Sequence, residues 1–175
     1  MLLFGATQER ALSAPEKAVG QRVFGNTIKW DQVRISDGSG VGGSIFTNAG
    51  IGDDTIYVTK NNYQAVPHQT LVHELTHVWQ ATNDGITGWG YKVSSLVHQG
   101  YHMARGSGRN AAYTYNPELL GVIGWGAFPA EEQAQIVEDW FASGEKTSEP
   151  AFRYIYWCIR RLQFTGNFWP PLPVR

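Results

Sequence analysis

Cysteine is almost missing from this sequence: Cys158 stands alone in 175 residues. A single thiol excludes an internal disulfide and any cysteine-built structural zinc site, and Cys158 reads as a small apolar residue on a late helix. Charge is also scarce, at 17% of residues with a net charge of −1, which removes the electrostatic case for nucleic acid or an anionic membrane surface as a partner. No apolar run approaches the roughly 20 residues of a membrane-spanning helix. The opening Met1-Leu2-Leu3-Phe4 meets Gly5 and then charged Glu9-Arg10, too short for the apolar core of a secretion signal. The expectation is a soluble protein made in the cytoplasm, carried elsewhere, if at all, by something other than such a signal.

A hydrophobic content of 42% with 20 Gly and 7 Trp describes a loop-rich, aromatic-rich globule rather than a disordered chain or coiled coil. The length suits one domain, residues 1–175, large enough to bury a core without cross-links.

The chemistry concentrates in His73-Glu74-Leu75-Thr76-His77. Leu71, Val72, Leu75, Val78 and Trp79 recur at helical spacing. Thr70 reads as an early-turn or capping residue, and Asn83-Asp84-Gly85 as a stop. On such a helix His73 and His77 lie one turn apart on one face, where two imidazoles can bind a single Zn²⁺. Glu74, beside the first histidine, can reach a water on the metal without being a ligand and act as general base. Two surface histidines on an amphipathic helix are the plainer alternative, but H-E-x-x-H on a well-patterned helix is a specific signal. A catalytic zinc site needs a third protein ligand.

Along the chain, residues 1–10 read as a loose arm. Ser13-Ala14-Pro15-Glu16 predicts a helix start with a capping box, and Gly25 its end. Ile28–Ile35 is an expected strand, followed by a Gly/Ser-rich turn region from Ser36 to Gly43. Ser44–Thr47 and Thr55–Thr59 are two more strands, the latter the candidate edge strand for pairing with an extended peptide substrate. His68, in the loop before the central helix, falls on the wrong side to join His73.

A second helix is expected over about Gly90–Met103, carrying His98 and His102 at i, i+4. These two read as exposed polar residues, as substrate or transition-state contacts at the cleft, or as a second metal site. Tyr113 and Tyr115 read as packing aromatics, or as a phenol able to stabilise an oxyanion. Leu119–Phe128 is apolar enough to line a pocket. Pro129 opens a helix whose first turn holds Glu131 and Glu132, as the helix dipole favours; these carboxylates are also placed to offer the third ligand. Pro150–Gln163 is expected as a last helix, with residues 164–175 as an irregular tail.

With these residues in view, the chain resembles a gluzincin, the zincin class whose third ligand is Glu. More closely, it resembles the Vgr-related zincin metallopeptidases associated with bacterial type VI secretion and related contractile injection systems. The pieces that carry the resemblance are Arg10–Ser13, Val23–Gly25, Trp30–Ile35, His73–Gln80 and Glu131–Trp140, in that order. The resemblance implies that His73 and His77 are zinc ligands and Glu74 the general base. It puts the third ligand on Glu131, the doubled glutamate leaving Glu132 as second choice, with Asp139 as a supporting residue behind the ligands. It also implies one Zn²⁺ per chain, a protein or peptide substrate, and a toxin role against neighbouring bacteria. Secretion-apparatus proteins and a cognate immunity protein would be the partners, with action in the target cell periplasm or outside the cell.

The expected fold is a single-domain, minimal zincin-like α+β fold with a small antiparallel sheet packed on the metal helix and the acidic helix crossing it. The expected reaction is amide hydrolysis with Glu74 moving the proton from water to the leaving nitrogen. A zinc-binding adaptor without turnover is the alternative, against which an intact Glu74 speaks. A peptidoglycan amide hydrolase would need the same residues.

Overall fold

A computed structural model of the chain describes residues 6–38, 46–48, 54–83 and 114–161. The elements run β1 (Glu9–Ala11), α1 (Ala14–Phe24), β2 (Val33–Ser36), β3 (Phe46–Asn48), β4 (Asp54–Tyr57), α2 (His68–Asn83) and α3 (Ala130–Ala142), with a π-helical segment at Tyr154–Ile159. The fold is α+β. The expectations for residues 84–113 and 162–175, including the helix carrying His98 and His102, Tyr113 and the tail, lie outside the described residues.

Helix α1 starts where its local chemistry requires. Ser13 caps it, its hydroxyl facing the Glu16 amide at 3.5 Å, while the Ser13 amide donates to Glu16 Oε2 at 2.8 Å. These reciprocal bonds satisfy donors that a helix start leaves without partners. The Glu16 carboxylate also takes a two-pronged bond from Arg10, at 2.7 and 2.8 Å, and the Val66 amide at 3.2 Å. Burial alone would raise its pKa; Arg10, Ser13 and Val66 outweigh that and bring it down to about 2. At Gly20 an added Cβ would lie 2.7 Å from the Trp30 ring and 2.9 Å from Leu75, so the missing side chain is what lets Trp30 and α2 approach α1.

Residues 6–11 are not a loose arm. β1 pairs antiparallel with β2, Glu9 opposite Ser36, and the Thr7 and Gln8 amides donate to Asp37 Oδ1 at 2.6 and 2.8 Å. The carboxylate of Asp37 anchors the segment in a way that composition does not reveal. The strand expected from Ile28 begins only at Val33. Trp30 turns back instead, its indole donating to the Gly25 carbonyl at 3.0 Å.

The sheet is mixed rather than antiparallel. Its order is β1-β2-β4-β3, with β2 and β4 parallel, Val33 opposite Asp54, and β3 antiparallel to β4. Parallel strands need a crossover, and the chain between β2 and β4 supplies it by laying β3 outside β4. It follows that β4 is no edge strand. It is paired on both sides and all four of its residues are buried, the polar Asp54 and Thr55 as well as Ile56 and Tyr57. Among the described residues, β1 and β3 are the edges.

Helix α2 begins at His68 rather than after it, the Leu71 amide donating to the Pro67 carbonyl at 2.8 Å, and it runs to Asn83, where the expected stop passes outside the described residues. Leu71, Val72, Leu75, Val78 and Trp79 are fully buried, each such side chain contributing about 1.5–3 kcal/mol. Trp79 meets Trp125 edge-on with ring centres 6.3 Å apart, so part of the Leu119–Phe128 stretch fills the core. The expected last helix is π-wound, the Arg160 amide donating to the Ile155 carbonyl, and Cys158 is buried within it. No helix among the described residues is long and apolar enough to cross a membrane.

Candidate metal centre

Every residue of α2 from Leu71 to Ala81 is buried, so the helix hides polar side chains as well as apolar ones. Buried polar groups require partners, and those of His73, Glu74, His77 and Gln80 come from α3, from β3 and from α2 itself. Helix α3 presents Glu131, Gln133 and Glu138 toward this polar side; Ile136, Val137 and Trp140 are buried in the core.

His73, His77 and Glu131 form a cluster in which one donor atom from each lies within 4.8 Å of the others. His77 Nε2 stands 3.2 Å and His73 Nε2 3.5 Å from the same oxygen, Glu131 Oε2. The imidazole rings are nearly perpendicular, 81° apart, with centres at 5.0 Å. A tetrahedral ion with ligands at about 2.0–2.2 Å separates its donor atoms by about 3.3 Å. Two nitrogens at nearly that spacing from one carboxylate oxygen, all three residues buried, fit a divalent ion of the zinc type. The cluster can therefore hold a metal ion. Glu132, the next residue, lies outside it, because neighbouring helical positions point about 100° apart.

Each imidazole has its other nitrogen engaged. His73 Nδ1 is 3.0 Å from Glu138 Oε2, and His77 Nδ1 is 2.8 Å from Gln80 Oε1. Burial would hold His73 below its ordinary pKa, but Glu131, Glu138 and Glu74 surround it and push it up to about 10. So concentrated a negative environment favours a cation at this position, whether a proton or a metal.

Glu74 is buried beside His73. Its Oε2 accepts the Thr47 hydroxyl from β3 at 2.6 Å. Asp139 faces elsewhere: its carboxylate accepts the Tyr115 hydroxyl at 2.8 Å and the Gln135 amide at 2.8 Å. Burial and the Asp139 carboxylate both raise the Tyr115 pKa, so that phenol holds its proton toward Asp139 rather than toward the cluster.

Glu138, Gln80 and Thr47 are the site residues that sequence reading misses. Glu138 had a signal, since it lies seven residues and two turns beyond Glu131 on the same face of α3. Gln80 follows His77 by three positions and shares its side of α2. Nothing local marks Thr47, whose role depends on where β3 lands.

No protein-family model matches the chain, and no curated protein matches it. Among solved structures the effector domain of Pseudomonas aeruginosa VgrG2b is similar, with 22% identity over 87% of each chain and a TM-score of 0.59. The likeness is one of fold, and it extends over most of both chains.

Proposed function

We propose that the chain is a zinc-dependent peptidase that hydrolyses protein or peptide amide bonds. The observation that carries this reading is the convergence of His73, His77 and Glu131 on one point with Glu74 at the adjacent position. Zinc in that cluster would supply Lewis acidity, making water acidic enough to ionise near pH ~7 and polarising an amide carbonyl.

The chain's own residues handle the proton. Glu74, one oxygen held by Thr47, keeps the other to take the proton from the attacking water and deliver it to the leaving nitrogen. A purely structural zinc site has no use for a buried carboxylate there. Glu138 and Gln80 hold the two imidazoles with Nε2 toward Glu131, so the ligands need little reorganisation.

The likeness to a VgrG2b effector domain, together with the sequence resemblance to Vgr-related metallopeptidases, supports placing the activity in an effector exported by a type VI or related contractile system. A bacterial neighbour would be its target, and a cognate immunity protein its inhibitor.

The test is metal content and turnover of dye-labelled denatured casein by wild type and Glu74→Gln. About one zinc per chain in both, with cleavage only by wild type, supports the reading. A wild type that takes up no zinc when supplied, or a Glu74→Gln variant that cleaves normally, would end it.

A further inference from the structure

Hydrogen-bond direction around Gln80 can be read without locating a hydrogen. Gln133 Nε2 is 3.0 Å from two backbone carbonyls, those of Trp125 and Phe128. Carbonyls only accept, so the NH₂ end of Gln133 must face them. Its oxygen then faces Gln80 Nε2, 2.8 Å away, and that nitrogen also lies 2.9 Å from the Ala130 carbonyl. Both are acceptors, so the NH₂ end of Gln80 faces α3. The Gln80 oxygen is thereby left facing His77 Nδ1 at 2.8 Å, and an amide oxygen can only accept. His77 must carry a hydrogen on Nδ1, which leaves Nε2, 3.2 Å from Glu131 Oε2, as the nitrogen that takes the metal.

We propose that Gln80 is a positioning residue that fixes His77 with its hydrogen on Nδ1 and its ligating nitrogen on Nε2, and that the first turn of α3 sets Gln80 in that sense. Ala130 and Gln133 flank Glu131 in the same turn. One turn of helix thus delivers the third ligand and also orients the second. Gln80 and Gln133 are almost fully buried, at 1% and 4% exposure, so water does not compete for these bonds. Withdrawing α3 would remove Glu131 from the cluster and the constraint on His77 together.

The inference rests on His77 being a metal ligand, and the experiment separates the two. Zinc affinity is measured by competition with a chelating dye for wild type, Gln80→Met, Gln80→Glu and Gln133→Met. The His77 Nδ1–H signal of the zinc-loaded proteins is followed by ¹⁵N NMR. Gln80→Met, close in volume but with no strong acceptor, should bind zinc about 10–100-fold more weakly and lose the exchange-protected Nδ1–H. Gln80→Glu keeps the acceptor facing His77 but loses both donors to α3, so it should keep the Nδ1–H and bind zinc more tightly than Gln80→Met, though below wild type. Gln133→Met should cost less than Gln80→Met, because Ala130 still holds Gln80.

Gln80→Met binding zinc as wild type does would overturn the proposal. So would a Gln80→Glu variant as weak as Gln80→Met, since the acceptor would then not be what matters. A wild type that binds no zinc would instead strike the metal site itself. Should Gln80→Met fail to fold, Gln80→Glu against Gln133→Met decides: the proposal requires the first to keep the Nδ1–H signal at full protection and the second to weaken it.

Discussion

The Thr47 hydroxyl donates to Glu74 Oε2 at 2.6 Å and stands 3.2 Å from the Glu74 carbonyl oxygen. A hydroxyl has one hydrogen, and the shorter, charge-assisted contact takes it. The edge strand β3 is thereby tied to the one carboxylate of α2 assigned to proton transfer, and a single oxygen of that carboxylate is immobilised. Thr47→Val keeps the shape and removes the donor. It should lower kcat for casein cleavage about tenfold, less than the roughly 10²–10⁴-fold expected for loss of the proton-transfer group itself, with KM and zinc content little changed. Thr47→Ser should recover most of the rate. A rise in KM alone would mean that Thr47 serves substrate binding, not Glu74.

Glu131 and Glu132 are adjacent in sequence and opposite in consequence. Glu131 is 2% exposed and sits in the histidine cluster. Glu131→Gln should therefore weaken zinc binding by about 100-fold or more, beyond what loss of a supporting partner costs. Glu132→Gln should leave it within about twofold, as for a residue outside the cluster. Removing zinc with a chelator should lower the unfolding temperature of wild type, because a ligand bound only by the folded state stabilises it. The same treatment should leave Glu131→Gln almost unchanged. Competition titration and thermal unfolding of the two variants check this, and equal losses in both would unseat Glu131.

Helix α2, its histidine pair and the capping box of α1 were legible because their signals are local: spacing and a cap within about a dozen residues. Strand order was not, because pairing is decided between distant segments. The sequence of β4 suits an edge or an interior strand equally well, and only the path through β3 makes it interior. The same limit hid the supports of the site. Glu138 reads as one more acid on an acidic helix until α3 is packed on α2 and its carboxylate meets His73. Asp139, the neighbouring candidate, points a third of a turn away and bonds Tyr115 and Gln135 instead. Packing between two helices chose between adjacent residues, and no motif records that choice.

Glu138 therefore carries its own expectation. Its carboxylate holds the Nδ1–H side of His73 at 3.0 Å. Such outer carboxylates orient a ligating imidazole and raise its basicity. Glu138→Ala should cost about 10–100-fold in zinc affinity. Glu138→Gln, which still offers an oxygen to Nδ1, should cost less. Asp139→Ala should leave affinity near wild type, so the three variants in one titration series separate the two adjacent acids. If Asp139→Ala proved the more damaging, the packing of α3 described above would be wrong by one position.

The buried pair Arg10–Glu16 sets a different dependence, on acid. Glu16 titrates at about 2 in the folded protein against an ordinary 4.5, so the folded state favours the charged form. A depressed carboxylate contributes fully above its unfolded value and loses that contribution as pH falls toward the folded one. By linkage the full shift would correspond to about 3 kcal/mol, and solvent around the partly exposed Arg10 screens the pair to less than that, still a sizeable share of the 5–15 kcal/mol that holds a typical domain. Unfolding by denaturant should thus show wild type losing stability steeply between about pH 4.5 and about pH 2. Glu16→Gln should be less stable near neutrality by a similar amount and converge with wild type at the acid end. A gap between the two that stays constant with pH would mean that Glu16 acts through packing, with its charge contributing little.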